Sequence, residues 1–414
     1  MRRVLMIHYN FPPLGGIASV RAAKVARYLE EFGWSPIIVA PRAAAYHEDR
    51  SLAVPRVKLI RTASLEWAKA GKRAASALAR NGGPKSPARI SHALRTLVHR
   101  VLYVPDAQIG WYPFALHAAR RAMQEERVHA LFSSSPPVSA HLIARRLHLE
   151  SGVPWIAEFR DLRTDWRWNG AWRQGIDERL EKAIMHTATA VVTVSPTYAS
   201  VLRARGARVV STITNGFDPE DFTARNGARS DVLTYVGTYY PRTQDLSTLV
   251  QAFGALKQEG RISPYGLQIV GDHSSELARM IDEAGLAGSV EWTGFVSHEE
   301  SIRRMRVSRA LLLAGPIVSS EPALRGNIAG KTFEYLASGN AIVFTGDLAS
   351  DVAEFLRPFP RARMVGQGDL DAAKAALLSL EEGSHPNDAS GIERFTHRRL
   401  SESLARCLTE VSGG

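Results

Sequence analysis

A chain of 414 residues is longer than one ordinary core organises, and two domains of about 200 residues each are the natural expectation. Its 45% hydrophobic and 22% charged residues describe a globular protein and exclude a disordered or fibrous one. No run approaches the ~18–20 apolar residues that span a bilayer, and one cysteine, Cys407, excludes an intrachain disulfide or multi-cysteine metal site.

The start, Met1-Arg2-Arg3 followed by Val4–Ile7, is basic then apolar, but Pro12, Pro13, Gly15 and Gly16 cut it shorter than a signal peptide. A reducing cytoplasm fits this pattern. The net charge of +11 is uneven: residues 61–100 hold nine basic side chains against Glu66 alone. Such a cluster faces an anionic surface or is simply a solvated basic face. Within it Leu78, Ile90, Leu94, Leu97 and Val98 recur at roughly helical spacing, as a stretch lying on a membrane interface would require.

In chain order, Val4–His8 reads as a buried parallel strand, and Tyr9–Gly16 as a loop whose paired glycines allow a phosphate near the backbone. It is not a G-x-G-x-x-G fingerprint, and a plain tight turn explains it equally. Ala18, Ala22, Val25, Ala26 and Leu29 then line a helix, and Ile37–Ala40 is the second strand. After a strand at 129–132 come Ser133-Ser134-Ser135-Pro136-Pro137, hydroxyls that either meet a ligand or cap the next helix. Strand 155–158 runs into Phe159–Trp168, where Arg160, Asp161, Arg163, Asp165 and Arg167 interleave with two indoles. That loop shapes an acceptor pocket or forms an internal ion-pair cluster. Strands at 191–195 and 209–213 complete a first sheet, and Asn215–Asp218 with the polar run 224–231 read as an interdomain connection.

A second α/β alternation begins at Val232. Its strands end in small or polar loops: Gly237–Gln244, Gly271-Asp272, Gly294-Phe295-Val296, then Ser319–Asn327. The stretch Gly330–Gly339 reads as a short helix between glycines, with Lys331 in its first turn and Glu334 on the same face by the i, i+3 rule. A helix N-terminus suits a phosphate, and a carboxylate accepts both hydroxyls of a ribose. The plainer reading is an amphipathic helix with Phe333, Tyr335 and Leu336 in the core. Asp369-Leu370-Asp371 opens a late helix, where capping is expected. A final helix over about 393–411 carries Leu400, Leu404 and Leu408 at i, i+4 spacing and is expected to pack back across the domain boundary.

Taken in order, Phe11–Gly16, Ser133–Pro137, Glu158–Asp161, Gly237–Arg242, Ile269–Asp272, Thr293–Val296 and Lys331–Gly339 resemble the motifs of a retaining, family 4-like glycosyltransferase of the GT-B fold, the type of bacterial surface-glycan enzymes. The resemblance implies two Rossmann-like, doubly wound α/β domains facing a cleft: 1–225 for the acceptor, 226–395 for a nucleotide sugar, and a 396–414 helix crossing back. By motif, Glu334 resembles the ribose ligand, Phe295 and Val296 the backbone facing the base, and Gly15 and Gly16 the loop at the diphosphate. Gly237, Asp272 and Asn327 fall with them on the donor side. Arg242 and Lys331 are the implied catalytic cations, and Asp106, Ser135, Arg160 and Asp161 mark the acceptor side. No metal and no cofactor is implied; a UDP- or GDP-sugar is the co-substrate and a glycan or lipid-linked molecule the acceptor.

One departure stands out. Many relatives carry a further glutamate eight residues before the ribose ligand, at the donor sugar, and here that position is Gly326. Three readings follow: a glycosyltransferase that is cytoplasmic and peripheral on the inner membrane face through 61–100, a sugar-nucleotide 2-epimerase on the same fold, and a non-catalytic binder of anionic lipid or nucleic acid. The first carries no expectation of nucleic acid.

Overall fold

The computed structural model describes residues 1–42, 48–65, 104–162, 171–223, 230–262, 265–317, 321–381 and 391–413. Most of the basic segment 61–100 and the loop 163–168 therefore lie outside the described residues, as do Ser319, Ser320 and the run 224–229. Among the described residues thirteen strands form two sheets. The first holds β1 (Arg2–Ile7), β2 (Trp34–Pro41), β3 (Lys58–Thr62), β4 (Ala130–Ser135), β5 (Trp155–Phe159), β6 (Ala190–Thr193) and β7 (Val210–Thr212), in the order β3-β2-β1-β4-β5-β6-β7. The second holds β8 (Ser230–Val236), β9 (Gly266–Val270), β10 (Val290–Gly294), β11 (Ser308–Ala314), β12 (Ala341–Gly346) and β13 (Ala362–Gly366), in the order β10-β9-β8-β11-β12-β13. Every neighbouring pair is parallel.

The helices of the first unit are α1 (Ile17–Leu29), α2 (Tyr112–Glu125), α3 (Ser139–Ser151), α4 (Ala171–Thr187) and α5 (Pro196–Ala204). Those of the second are α6 (Ser247–Gln258), α7 (Ser275–Glu283), α8 (His298–Val307), α9 (Pro322–Arg325), α10 (Lys331–Ser338), α11 (Asp351–Leu356) and α12 (Leu370–Leu378), with α13 (His397–Val411) closing the chain. Both sheets are covered on both faces, so the central strands carry apolar runs such as Val4–Ile7 and Ile342–Phe344. The two orders reverse at β1/β4 and at β8/β11, and doubly wound sheets bind ligands beyond the carboxyl ends of such switch points. This is the expected pair of Rossmann-like domains. Among the described residues no helix is long and apolar enough to cross a membrane.

The predicted stripe on the last helix is buried as expected. Leu400, Leu404, Ala405 and Leu408 pack on Ala22, Val25, Ala26 and Leu29 of α1, at about 1.5–3 kcal/mol per buried leucine. Trp34 Nε1 donates to Thr409 Oγ1 at 3.2 Å, a second tie of the C-terminus to the first sheet.

The described start of the connecting segment is anchored on the first domain: Asp218 is buried, accepts from Tyr28 Oη at 3.0 Å and pairs with Lys24 at 2.8 Å. The triple serine does not cap α3. Ser133 Oγ accepts from Trp155 Nε1 at 2.8 Å and Ser134 Oγ donates to Glu158 Oε2 at 2.6 Å, while the α3 amide of Ser139 is held by Asp106 at 2.9 Å. A carboxylate there also suits the positive end of the helix dipole.

Candidate active site

The carboxyl ends of the two sheets enclose a cleft of about 590 Å³, within the range of ligand sites. The first domain contributes Gly16, Ile17, Val20, Asp49 and Asp161. The second contributes Gly237, Thr238, Asp272, Phe295, Val296, His298, Asn327, Lys331 and Glu334.

Helix α10 forms one wall. Gly339 adopts the left-handed conformation (φ 77°) at its C-terminus, where its N–H closes on the Leu336 carbonyl, so the eight-residue helix stops where the sequence predicts. Phe333, Tyr335 and Leu336 are buried in the second core, as the plainer reading required, yet the opposite face lines the cleft. Core burial and cleft lining coexist, because a helix has two faces. The first turn is tighter than an open N-terminus: Thr332 N and Phe333 N already donate to the Ala329 and Gly330 carbonyls.

Lys331 is the half-buried cation of this wall. Its Nζ donates to the Val236 carbonyl at 2.8 Å and stands 4.0 Å from the centre of the Tyr235 ring. Burial pushes its pKa down to about 7, and no acid among the described residues pairs with it. A desolvated ammonium without a counter-ion, in a ligand cleft, is electrostatically prepared for an anion.

Glu334 follows one turn on. Its Oε1 accepts from His298 Nε2 at 2.7 Å, and both side chains are largely buried. Burial lowers the His298 pKa, but the Glu334 carboxylate outweighs it and the net shift is upward. The first domain reaches into this pair, since Asp49 Oδ2 accepts from the His298 backbone N–H at 2.7 Å. It also touches the start of α10: a Cβ at Gly330 would lie 2.3 Å from Ile17 Cγ1, so only glycine admits this approach.

The remaining predicted residues fall in three places. Gly16, Gly237, Asp272, Phe295, Val296, Asn327 and Asp161 line the cleft with Lys331 and Glu334. Gly15 sits beside Gly16, and Arg242 is exposed in the turn that follows β8. On the first domain, Ser135 and Asp161 flank a small cavity with Pro136 and Phe159, and Asp106 is buried at the N-terminus of α3. Arg160 donates to Ser134 Oγ at 2.9 Å, beside the buried Arg21–Glu158 pair at 2.8 Å. Burial alone would raise Glu158, but Arg21, Arg160 and the Ser134 hydroxyl hold it at about 2. The described start of the charged loop thus forms an ion-pair cluster. Among the described residues no group of three or more metal-ligating side chains gathers.

Two family models match the chain: a glycosyl transferase 4-like domain over residues 15–216 and glycosyl transferases group 1 over 230–382. The chain belongs to the family 4-like glycosyltransferases. Solved structures share its GT-B architecture. The lipopolysaccharide outer core galactosyltransferase WaaB matches over 99% of both chains at 14% identity and TM-score 0.58. WaaG, a glycosyltransferase involved in lipopolysaccharide biosynthesis, matches over 99% of this chain and all of its own at 11% identity and TM-score 0.59. Sucrose-phosphate synthase from Thermosynechococcus elongatus matches over all of this chain and 96% of its own at 15% identity and TM-score 0.61. A comparison with curated proteins by sequence returns no match.

Against this glycosyltransferase frame, the absent glutamate has a steric explanation. A Cβ at Gly326 would lie 2.4 and 2.6 Å from ring carbons of Tyr198, and 3.0 Å from Ser195 Oγ, both on the first domain. The Tyr198 hydroxyl donates to the Ala323 carbonyl at 2.7 Å and locks that approach. Position 326 therefore faces the other domain, and the neighbouring Asn327 is the residue turned to the cleft. Sequence reasoning missed His298, Asp49 and Ile17. His298 lies two residues beyond the Phe295-Val296 pair, which is the one local signal it offers; Asp49 and Ile17 carry none.

Proposed function

We propose that the cleft binds a UDP- or GDP-linked sugar and transfers it, with retention and without a metal, to a glycan or lipid-linked acceptor held by the first domain. The observation that carries this reading is Lys331, a half-buried cation with no acidic partner among the described residues, on the same cleft-facing helix as Glu334. As the glycosidic C–O bond breaks, the departing nucleoside diphosphate gathers negative charge, and a prepared ammonium stabilises that charge more in the transition state than before it. Glu334 would accept the ribose hydroxyls, the Phe295–Val296 backbone would face the base, and Arg242 would swing to the outer phosphate. Retention and the absence of a metal rest on the family resemblance. The part that WaaB and WaaG play in lipopolysaccharide synthesis supports a glycolipid acceptor.

A donor screen by thermal shift tests the reading. One class among UDP-, GDP-, ADP- and TDP-sugars is expected to stabilise the chain by about 2.7 kcal/mol at 100 times its Kd, and Glu334→Ala should abolish that response. No response to any donor, together with no effect of Glu334→Ala, would sink the proposal. Product from donor alone, without acceptor, would instead favour a 2-epimerase.

A lipid-linked acceptor would bring the enzyme to the inner face of the membrane, cytoplasmic and peripheral, with the basic segment 61–100 as the contact. In liposome flotation the chain should follow anionic vesicles and not neutral ones, and neutralising Lys69, Lys72 and Arg73 should reduce recovery several-fold. Equal recovery on both vesicle types would reject the contact.

A further inference from the structure

We propose that His298 is a positioning residue that sets the Glu334 carboxylate for the ribose, under control of Asp49 from the opposite domain. This rests on the reading of Glu334 as the ribose ligand. His298 is the first residue of α8, and its Nε2 meets Glu334 Oε1 at 2.7 Å inside the cleft wall. A carboxylate presents about four lone-pair sites, so one fixed hydrogen bond leaves three for ligand while stopping rotation of the carboxyl plane. A freely turning carboxylate would have to be ordered at each binding event, and side-chain ordering costs about 0.5–1.5 kcal/mol.

The charges facing His298 come from every side of its pocket. Glu334 stands on α10, Asp221 and Lys24 lie on the connecting segment and α1, and Asp49 accepts the His298 backbone N–H. The imidazole thus hydrogen-bonds Glu334 close to where an anionic diphosphate is proposed to arrive. Asp49 is itself held on the first domain, its amide donating to the Pro13 carbonyl at 2.7 Å and its Oδ1 accepting from Ser51 Oγ at 2.6 Å. Asp49, His298 and Glu334 form a single file across the domain boundary. When the domains part, His298 loses its backbone anchor, and the ribose ligand loses its fixed plane.

The test compares UDP with 2′-deoxy-UDP, and GDP with 2′-deoxy-GDP, by titration calorimetry on the full chain. The wild-type chain is expected to prefer the ribonucleotide by about 10- to 100-fold, the range of a hydrogen bond to a charged group. In His298→Ala that preference should fall to within about threefold while deoxynucleotide affinity stays within about twofold. His298→Gln, which returns an N–H donor toward Glu334, should recover most of the preference. Asp49→Ala should halve it or more.

Equal weakening of ribo- and deoxynucleotide in His298→Ala, or an undiminished preference, overturns the positioning role. Should that variant fail to fold, a preference in His298→Gln that falls to the level of Glu334→Ala overturns it as well. Glu334→Ala separates the two ideas: a preference lost there and kept in His298→Ala rejects only the role of His298. A preference unchanged in Glu334→Ala, or absent from the wild-type chain, rejects the ribose reading beneath it.

Discussion

Replacing Lys331 with methionine should lower kcat/KM for sugar transfer by about 10²- to 10³-fold, the range found when one oxyanion-stabilising donor is removed. Methionine keeps the apolar stem and removes the charge, so the wall between Val236 and the Tyr235 ring stays filled. The fold should gain rather than lose, because an ammonium taken out of water with no carboxylate beside it among the described residues opposes folding. A melting scan with the rate assay therefore separates the two effects. A rate within tenfold of wild type would end the case for Lys331.

The same residue sets an expected pH profile. With its pKa lowered to about 7 in the free chain, the cation is present below that pH and lost above it. Since kcat/KM reports the free enzyme, it should decline as pH rises through about 7, while kcat stays level to higher pH because bound diphosphate restores the proton. The stability effect has the opposite sign. The unfolded lysine binds its proton up to about 10.5, so ligand-free stability should rise from about pH 7 to about 10.5. In Lys331→Met both slopes should vanish.

Restoring the family glutamate through Gly326→Glu should damage the protein. The added Cβ alone overlaps the Tyr198 ring at 2.4 Å, and overpacking of this kind costs about 1–3 kcal/mol. A carboxylate buried there without a partner adds several kcal/mol more, so a loss of at least about 3 kcal/mol is expected, or a parting of the domains that removes donor binding. Tyr198→Ala in the same chain should return part of the loss, since it removes the ring that the new side chain strikes. A Gly326→Glu chain with an unchanged melting temperature and a faster rate would show that position 326 turns freely to the cleft.

Much of the architecture was legible because it is local. Apolar runs such as Leu5–Ile7 and Ile342–Phe344 mark strands buried on both faces, and the alternation of strand and helix marks a doubly wound sheet. Helix 331–338 was bounded by its glycines, Leu400, Leu404 and Leu408 marked the face of α13, and Asp369 caps α12 by accepting from Ala372 N at 2.9 Å. Each signal lies within a few residues of its consequence.

The two sheets, the helix that carries Lys331 and Glu334, and the order of the family motifs are therefore written in local sequence. The contacts of His298 with Glu334, of Asp49 with His298 from 249 residues away, and of Gly326 with Tyr198 emerge from the packing of distant elements. The physical reason is that periodicity and capping report contacts along one element. Which elements meet across the cleft depends instead on strand order and on how the two domains close. Glu334 could be placed on a face of α10 from its spacing alone, but its partner was set by the packing of α8 beside that face.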